Sequence, residues 1–296
     1  MAWSGVWRPL TIAVVLSAAT VLPQHVALAE PVPTGKPAPP ADCTATPGPA
    51  PATVDGALAT AFGLAASLVG GATSLLPGQL LDLDNWKLTL PTGQEGKPEE
   101  IEGPSLTSFT NEFFRLNDAG NGVVFTAHAG GVTTSGSSYP RSELREMNGR
   151  EKAAWDSADG THTLDVCEAI MKVPATKPEV VSAQIHDTED DVLQIRLEDR
   201  TLSVQYDDGK GEVVLDPDYR LGTPFRVRIS VAAQGIAVFY NGEHKTDIKK
   251  SGSGWYWKVG AYVQSNPSKG EAPDAVGEVV VYSLDMSAKE AAPDVP

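Results

Sequence analysis

A two-residue alternation of apolar and polar side chains runs through much of the chain after residue 80. This is the pattern of a strand with one buried face, because successive side chains of a strand point to opposite sides of the sheet. It recurs in residues 193–197, 202–206, 225–231 and 236–240, and the last run leads into the hairpin dipeptide Asn241-Gly242. Turn residues return about every eight to twelve positions, and no long stretch after residue 80 has a helical period. The sequence therefore predicts an all-β fold, a single antiparallel β-sandwich or jelly roll with two stacked sheets.

The N-terminal residues have the features of an export signal. Arg8 precedes an apolar run over residues 10–22, and Ala27-Leu28-Ala29 offers a small-residue cleavage site, which predicts a signal peptide over residues 1–29. An uncleaved membrane anchor is the alternative, but a run of this length falls short of ~30 Å of hydrocarbon at ~1.5 Å per residue. We therefore expect a secreted, extracellular protein with no membrane attachment after cleavage.

The next residues differ in composition from the alternating region. Residues 30–55 form a Pro/Ala-rich linker, which is typical of extended, poorly packed chain. Residues 56–79 are small and apolar, and they predict a short helix on the domain, with a second membrane segment as the alternative. The β-domain then occupies residues 80–296. A disulfide between Cys43 and Cys167 would tie the N-terminal segment to this domain, and the sequence leaves that pairing open.

The charge of the chain excludes some classes of partner. Lys and Arg number 23 against 38 Asp and Glu, a formal net charge of −15. A nucleic-acid binder normally carries a basic face, so we expect no nucleic-acid partner. On the same reasoning a polyanionic substrate looks unfavourable. Net charge reports only the average surface, however, and a local cationic groove can still bind an anion.

The segment Tyr139–Met147 carries the first candidate site residues. In an extended chain Arg141, Glu143 and Arg145 project from one face. Two guanidinium groups bracketing a carboxylate suit the recognition of planar carboxylates. A surface salt-bridge ladder is the alternative interpretation.

Two later segments carry similar polar faces. In Ala183–Asp187, Gln184 and His186 share a face while Ile185 points to the core, although an ordinary polar strand face would look the same. In Trp255–Gln264 the alternation separates an inward apolar face from an outward polar one, which a purely structural amphipathic strand would also show. The outward residues of this last segment are Tyr256, Lys258, Tyr262 and Gln264.

Together these segments resemble the three signature regions of the alginate lyases of polysaccharide lyase family 7. That family shows Arg-Ser/Thr-Glu-x-Arg, then Gln-Ile/Val-His, then Tyr-x-Lys-x-Gly-x-Tyr-x-Gln, in the order found here. The segment Asn85–Pro91 also resembles the start of such domains, so the likeness covers roughly residues 80 to 286. The resemblance implies a β-jelly roll with a substrate groove on one sheet. Val259 and Trp257 depart from common family residues, and we interpret both as packing changes on the inward face.

The resemblance also implies the roles of the site residues. It assigns Arg141, Gln184, His186 and Tyr262 as the catalytic set, and it places Glu143, Arg145, Tyr256, Lys258 and Gln264 in the groove as substrate-binding residues. The implied activity is β-elimination of alginate, a 4-linked uronate polymer, giving 4,5-unsaturated oligosaccharides. Arg141 and Gln184 would neutralise the uronate carboxylate, His186 would assist them or act as base, and Tyr262 would shuttle the proton. The segment Gln184–His186 favours guluronate or mixed blocks.

Other classes fit the sequence less well. The sequence has no paired-carboxylate run of a sandwich glycosidase, no Gly-x-Ser-x-Gly elbow and no EF-hand or His-Glu-x-x-His metal site. We expect no cofactor, no metal and a monomer. A lyase for another uronan such as glucuronan and a non-catalytic carbohydrate-binding module remain the alternatives. We also expect Arg141, Arg145, Lys258 and a protonated His186 to make the groove clearly positive.

Overall fold

The computed structural model describes Met1, Cys43 and residues 75–289 of the 296-residue chain. The described elements belong to the unit Pro37–Pro296. The expected signal peptide, the linker apart from Cys43, and the apolar segment up to residue 74 lie outside the described residues. The end of that apolar segment contains one helical turn, Pro77–Leu80.

The described part of the chain is almost entirely β-structure, as the alternation predicts. Its two short helices are α1 (Pro77–Leu80) and α2 (Pro104–Thr107), and a 3₁₀ turn covers Pro267–Lys269. The strands are β1 (Trp86–Gln94), β2 (Lys97–Glu102), β3 (Phe114–Leu116), β4 (Val123–His128), β5 (Arg141–Asn148), β6 (Glu151–Lys152), β7 (Thr161–Lys172), β8 (Glu179–His186), β9 (Asp191–Glu198), β10 (Thr201–Tyr206), β11 (Gly211–Asp216), β12 (Phe225–Ala232), β13 (Gly235–Tyr240), β14 (Glu243–Ile248), β15 (Tyr256–Val263) and β16 (Val276–Lys289).

The strands form two antiparallel sheets. The first, here called the groove sheet, has the order β11-β10-β9-β8-β15-β5-β1-β2, with β6 paired to β5. The second, here called the back sheet, has the order β14-β13-β12-β7-β16-β4-β3. Strands adjacent in space are often distant in sequence, which is the connectivity of a jelly roll. The expected all-β jelly roll is confirmed.

The core lies between the two sheets and is built by the alternating apolar positions. The predicted runs of strands β9, β12 and β13 each bury their apolar residues, such as Ile195, Ile229 and Val238, while the residues between them face outward. The predicted hairpin is present, since Asn241 and Gly242 both have positive φ. Burial of apolar surface in this layer fixes the register of each strand, because a slip of one residue would turn its apolar face to solvent.

A disulfide links Cys43 to Cys167, with a Cα–Cα distance of 5.2 Å. Cys167 lies opposite Arg226 in the β7–β12 pairing and shares the outward face of the back sheet with it. The bond closes a loop with a sequence separation of 124 residues. In the chain-entropy description a loop of this size stabilises the fold by about 5 kcal/mol. The pairing left open by the sequence is therefore resolved by the structure.

Among the helices in the described part of the chain, none combines the length and the hydrophobicity needed to cross a bilayer.

Candidate active site

The three signature segments lie on neighbouring strands of the groove sheet. Strand β15 sits between β8 and β5. Lys258 is paired with Gln184 on one side and with Arg145 on the other, and Tyr262 is paired with Arg141. Side chains at paired positions share a face of the sheet, so residues far apart in sequence are brought onto one surface.

The expected division into inward and outward side chains is confirmed. Ile185, Trp257 and Val259 are fully buried in the core between the sheets. The two departures from the family pattern, Val259 and Trp257, therefore lie behind the groove. They change packing and do not contact a ligand placed in the groove.

A buried carboxylate joins three of the predicted site residues. Glu143 is 1% exposed, and its carboxylate accepts hydrogen bonds from Arg141 Nη1 at 3.0 Å, from Lys258 Nζ at 2.6 Å and from Gln184 Nε2. Burial by itself would raise the pKa of Glu143, but Lys258 and Arg141 outweigh it and hold the pKa below its ordinary value. Glu143 is thus an anion beneath the groove, and its oxygens are already occupied by protein donors. Its carboxylate holds Arg141, Lys258 and Gln184 in place, and its assigned substrate-binding role stays a prediction.

This cluster can accept one more negative charge. Arg141 and Lys258 carry two positive charges against the one negative charge of Glu143. Burial, and then the nearby Arg141, lower the pKa of Lys258 to about 8, while Glu143 opposes that shift. Arg141 Nε and Gln184 Oε1 are buried and have no hydrogen-bond partner among the described residues. An incoming carboxylate would restore charge balance and give Arg141 Nε an acceptor.

His186 is held as a neutral ring. Burial lowers its pKa, and the positive charge of Lys258 lowers it further. Its Nδ1 lies 2.7 Å from the carbonyl oxygen of Asp187 and 3.1 Å from the hydroxyl of Tyr256. A proton on Nδ1 satisfies these contacts and leaves the lone pair on Nε2, which suits a general base. Burial, and then the neighbouring cations, therefore disfavour the protonated His186 that the sequence led us to expect.

Tyr262 lies beside the same cluster. The Arg141 guanidinium carbon is 3.7 Å from the centroid of the Tyr262 ring, and Lys258 Nζ is 5.8 Å from it. The Tyr262 hydroxyl is 2.9 Å from Ser137 Oγ. Arg141 therefore contacts both the buried carboxylate and the face of the tyrosine that is expected to move the proton.

Arg145 and Tyr256 form the opposite side of the groove. The Arg145 guanidinium carbon lies 3.9 Å over the Tyr256 ring, and its nitrogens donate to the carbonyl oxygens of Glu146 and Ala153. Both residues line the groove cavity. Gln264 does not, since it follows the last residue of β15 and is paired through its backbone with Glu179 at the other end of β8. Its assigned substrate-binding role stays a prediction.

The cavity over these residues has a volume of about 320 Å³ and a divided charge. Cations line its floor, and the turn after β8 together with the first residue of β9 adds three carboxylates at its rim, those of Glu189, Asp190 and Asp191. Burial and the adjacent Asp190 raise the pKa of Asp191 to about 6. Arg141, Arg145 and Lys258 thus line the cavity as expected, but the carboxylates beside β8 make its rim acidic there, so the cavity is not uniformly positive.

The structure adds groove residues that the motif comparison missed. Lys87 and Thr89 line the cavity from β1, and Ser137 reaches it from the loop before β5. The alternation of buried Trp86, Leu88 and Leu90 with Lys87 and Thr89 was a usable signal for the first two. Ser137 lies in an irregular loop, where no alternation of residues predicts the direction of a side chain.

Among the described residues no group of three or more His, Cys, Asp and Glu side chains is arranged to hold a metal ion. The expectation of no cofactor stays a prediction.

Comparison with known proteins identifies the family. The family model described as "Alginate lyase" matches residues 81–288. A solved alginate lyase of polysaccharide lyase family 7 is 50% identical to this chain, with a TM-score of 0.70, covering 73% of this chain and all of that chain. The alginate lyase from Corynebacterium sp. is 45% identical, with a TM-score of 0.69, covering 72% of this chain and 98% of that chain.

A curated alginate lyase from Klebsiella pneumoniae is 41% identical over 76 residues. The matched segment spans about a quarter of that protein, 24% of its length, and 24% of this chain. The family model covers well over half of the chain, and the two solved structures each cover more than 70% of it. The chain belongs to the alginate lyases of polysaccharide lyase family 7.

Proposed function

We propose that the protein cleaves alginate by β-elimination and releases oligosaccharides with a 4,5 double bond. The observation that carries this proposal is the cluster in which Arg141, Gln184 and Lys258 share the buried carboxylate of Glu143. A neutral imidazole and a phenol, those of His186 and Tyr262, lie beside it in the same cavity. This set contains the anion-binding groups and the acid–base groups that elimination from a uronate needs.

The first requirement of the reaction is neutralisation of the substrate carboxylate. Removing the C5 proton of a uronate places further negative charge on a group that is already an anion. Arg141 Nε is a buried donor with no partner among the described residues, and Gln184 Nε2 has a second N–H besides the one that it donates to Glu143. These two residues therefore donate to the carboxylate and stabilise the charge that develops on it. The excess positive charge of the cluster gives the same stabilisation.

The second requirement is a base for C5 and an acid for the leaving oxygen. The base removes the C5 proton, the C5 electron pair forms the C4–C5 double bond, and the C4–O4 bond breaks with its electrons on O4. Tyr262 donates its proton to O4. For one C5 epimer, His186 Nε2 removes the C5 proton. For the other epimer, whose C5 proton lies on the opposite face of the ring, Tyr262 acts from its deprotonated form, takes the C5 proton and passes that proton to O4.

Alginate is the proposed substrate because the relatives act on it. The alginate lyase A1-II′, 27% identical over 73% of this chain and 98% of that chain with a TM-score of 0.64, has been solved in complex with a substrate. We further propose a preference for guluronate or mixed blocks, which rests on the Gln184–His186 segment. Ile185 lies in the core, so it acts only by displacing its two neighbours.

Absorbance near 235 nm tests the reaction class, because elimination creates a conjugated unsaturated uronate. We expect the signal to rise when alginate is added. A rise with glucuronan but none with alginate would favour the other uronan. Binding to alginate with a flat trace for every uronan would favour a non-catalytic carbohydrate-binding module and would overturn the proposal.

The block preference has its own test. Ile185→Val removes one buried methylene behind Gln184 and His186. We expect the ratio of activities on polyguluronate and polymannuronate to shift toward polymannuronate. An unchanged ratio would remove the basis for the guluronate preference without affecting the lyase assignment.

We also propose that the protein is secreted and acts as a monomer. The signal-like residues 1–29 support export, and the Cys43–Cys167 disulfide is of the kind that persists in oxidising compartments. N-terminal sequencing of protein from the culture medium should find a start near Glu30. Light scattering should give the mass of one mature chain, and a dimer mass would exclude the monomer.

A further inference from the structure

We infer that Ser137 is a positioning residue for Tyr262, which holds the phenol toward the substrate and stabilises the phenolate formed when Tyr262 gives up its proton. The inference rests on the proposed elimination and deepens it. Its basis is the 2.9 Å contact between Ser137 Oγ and the Tyr262 hydroxyl, in which either atom can be the donor. Neither the alternation of the sequence nor the three signature segments pointed to Ser137.

The other hydrogen bonds of Ser137 allow it to be either the acceptor or the donor in this contact. Its Oγ accepts a hydrogen bond from the backbone N–H of Tyr139 at 3.1 Å and donates one to the Tyr139 carbonyl oxygen at 3.2 Å. While Tyr262 is neutral, Ser137 Oγ therefore accepts the phenolic proton with its second lone pair. When that proton has gone, the serine hydroxyl turns and donates to the phenolate oxygen. The hydroxyl can thus serve both protonation states of Tyr262.

The loop that carries Ser137 is held against β15 at several points. The backbone N–H of Ser137 donates to the Thr134 carbonyl oxygen, and the N–H of Val263 donates to that of Pro140. The Tyr139 ring packs edge-on against the Tyr262 ring, with centroids 6.5 Å apart. These contacts fix the position of the Ser137 oxygen before the substrate binds, so only a rotation of its O–H bond is needed when the phenolate forms.

The step at which Tyr262 becomes negatively charged determines which kinetic constant Ser137 affects. Breaking the C4–O4 bond moves the Tyr262 proton to O4 and leaves the negative charge on the phenol oxygen. A hydrogen bond donated to an anion is about twice as strong as one between neutral groups. Ser137 therefore stabilises the transition state more than the bound substrate, and its loss should lower kcat with little change in KM.

The test compares variants of Ser137 in the full chain on alginate. Ser137→Ala should lower kcat about 10- to 100-fold, the factor expected for one charge-assisted hydrogen bond, and leave KM within about twofold. Ser137→Thr keeps the hydroxyl and should restore most of kcat. Ser135→Ala, an exposed change in the same loop, should behave as the unaltered protein.

Two further measurements separate this role from a structural one. Thermal unfolding reports whether Ser137→Ala loosens the loop. Ser137→Cys keeps the side-chain volume with a weakly donating thiol, and it should lower kcat as Ala does, even if the Ala variant does not fold. The inference would be overturned if kcat were unchanged in Ser137→Ala or Ser137→Cys, or if these variants raised KM and left kcat unaltered. It would also be overturned if Ser137→Thr lowered kcat as much as Ser137→Ala does. If the unaltered protein releases no unsaturated product from any uronan, the proposed elimination itself fails, which is a distinct result.

Discussion

Glu143 shows how one buried charge sets the chemistry of its neighbours. It is the common acceptor for Arg141, Lys258 and Gln184, and it raises the pKa of Lys258 against the effects of burial and of Arg141. Without it, two cations would face each other in a buried site. Its position also explains why an acidic side chain can belong to a groove for an anionic polymer. Its carboxylate is already bound by the protein's own donors.

Glu143→Gln keeps the size of the side chain and removes the charge. We expect kcat/KM to fall by at least about 100-fold, because Arg141 and Lys258 lose the acceptor that orients them. The pKa of Lys258 should fall below about 8, so Lys258 loses its charge at a lower pH than in the unaltered protein. The measurement is the pH dependence of kcat/KM on alginate. Glu95→Gln makes the same chemical change at an exposed turn and serves as the control; a Glu143→Gln variant that matches it would contradict the organising role.

Tyr262→Phe removes the phenolic hydroxyl and keeps the ring that packs under Arg141. We expect turnover to fall by more than about 1,000-fold while alginate affinity stays within a few-fold, because Arg141 and Gln184 still bind the carboxylate. Turnover is followed near 235 nm and affinity by calorimetry. Tyr282→Phe on the back sheet is the matched control. Retained turnover in Tyr262→Phe would show that another group moves the proton.

At the scale of elements, the site depends on how closely β15 approaches β5. Gly260 lies opposite Glu143 in the pairing of these strands and has φ of +146°, a conformation that residues with a side chain rarely adopt. A Cβ added there would lie 2.5 Å from the Ser142 carbonyl oxygen and 2.8 Å from the Glu143 Cα. The absence of a side chain therefore lets the strand carrying Lys258 reach the strand carrying its partner carboxylate.

Gly260→Ala should destabilise the fold by more than about 1 kcal/mol, since both the backbone conformation and the available space exclude a methyl group. Activity should fall as well, because β15 must move away from β5. Urea unfolding measures the first effect and the 235 nm assay the second. Gly136→Ala is the control for stability, because a Cβ there meets no atom within 4 Å. A Gly260→Ala variant with the unfolding midpoint of this control would contradict the argument.

At the scale of the whole molecule, the two sheets are joined by a polar contact inside the core. The Glu168 carboxyl of β7 accepts a hydrogen bond from Ser182 Oγ of β8 at 2.7 Å, and its other oxygen has no partner among the described residues. Burial raises the pKa of Glu168 to about 8. The carboxyl is therefore neutral in the folded protein at neutral pH, whereas an unfolded chain would ionise it.

This difference predicts a pH-dependent stability. The folded pKa of Glu168 lies above its ordinary value of 4.5, so the folded state binds more protons between about 4.5 and 8. Its contribution to stability is fully present below about 4.5 and is lost as pH rises through about 8. Glu168→Gln cannot titrate, so its unfolding free energy should fall less than that of the unaltered protein between pH 5 and pH 8. Urea unfolding at these two pH values measures the difference. In Glu95→Gln the unfolding free energy should change with pH as it does in the unaltered protein. The same change with pH in Glu168→Gln would contradict the prediction.

The sequence by itself determined the fold class and the facing of the site residues. Alternation depends only on the two-residue period of a strand, so it placed Ile185 and Trp257 inward and Lys258 and Tyr262 outward before any pairing was known. The order of the three signature segments likewise identified the family. The alternation and each signature segment are local properties, because the residues that make up any one of them are close together along the chain.

Only the tertiary structure decided which outward residues meet and what charge they carry. The order β8-β15-β5 brought Gln184, Lys258 and Glu143 together, and no property of a single strand specifies its neighbours. The neutral state of His186 follows from its burial beside Lys258, which corrects the expectation of a cation. Ser137 reaches Tyr262 from an irregular loop, and Gln264 continues its strand's outward pattern yet lies beyond the cavity. Contacts and protonation states depend on distances and burial in three dimensions, and a sequence period contains neither.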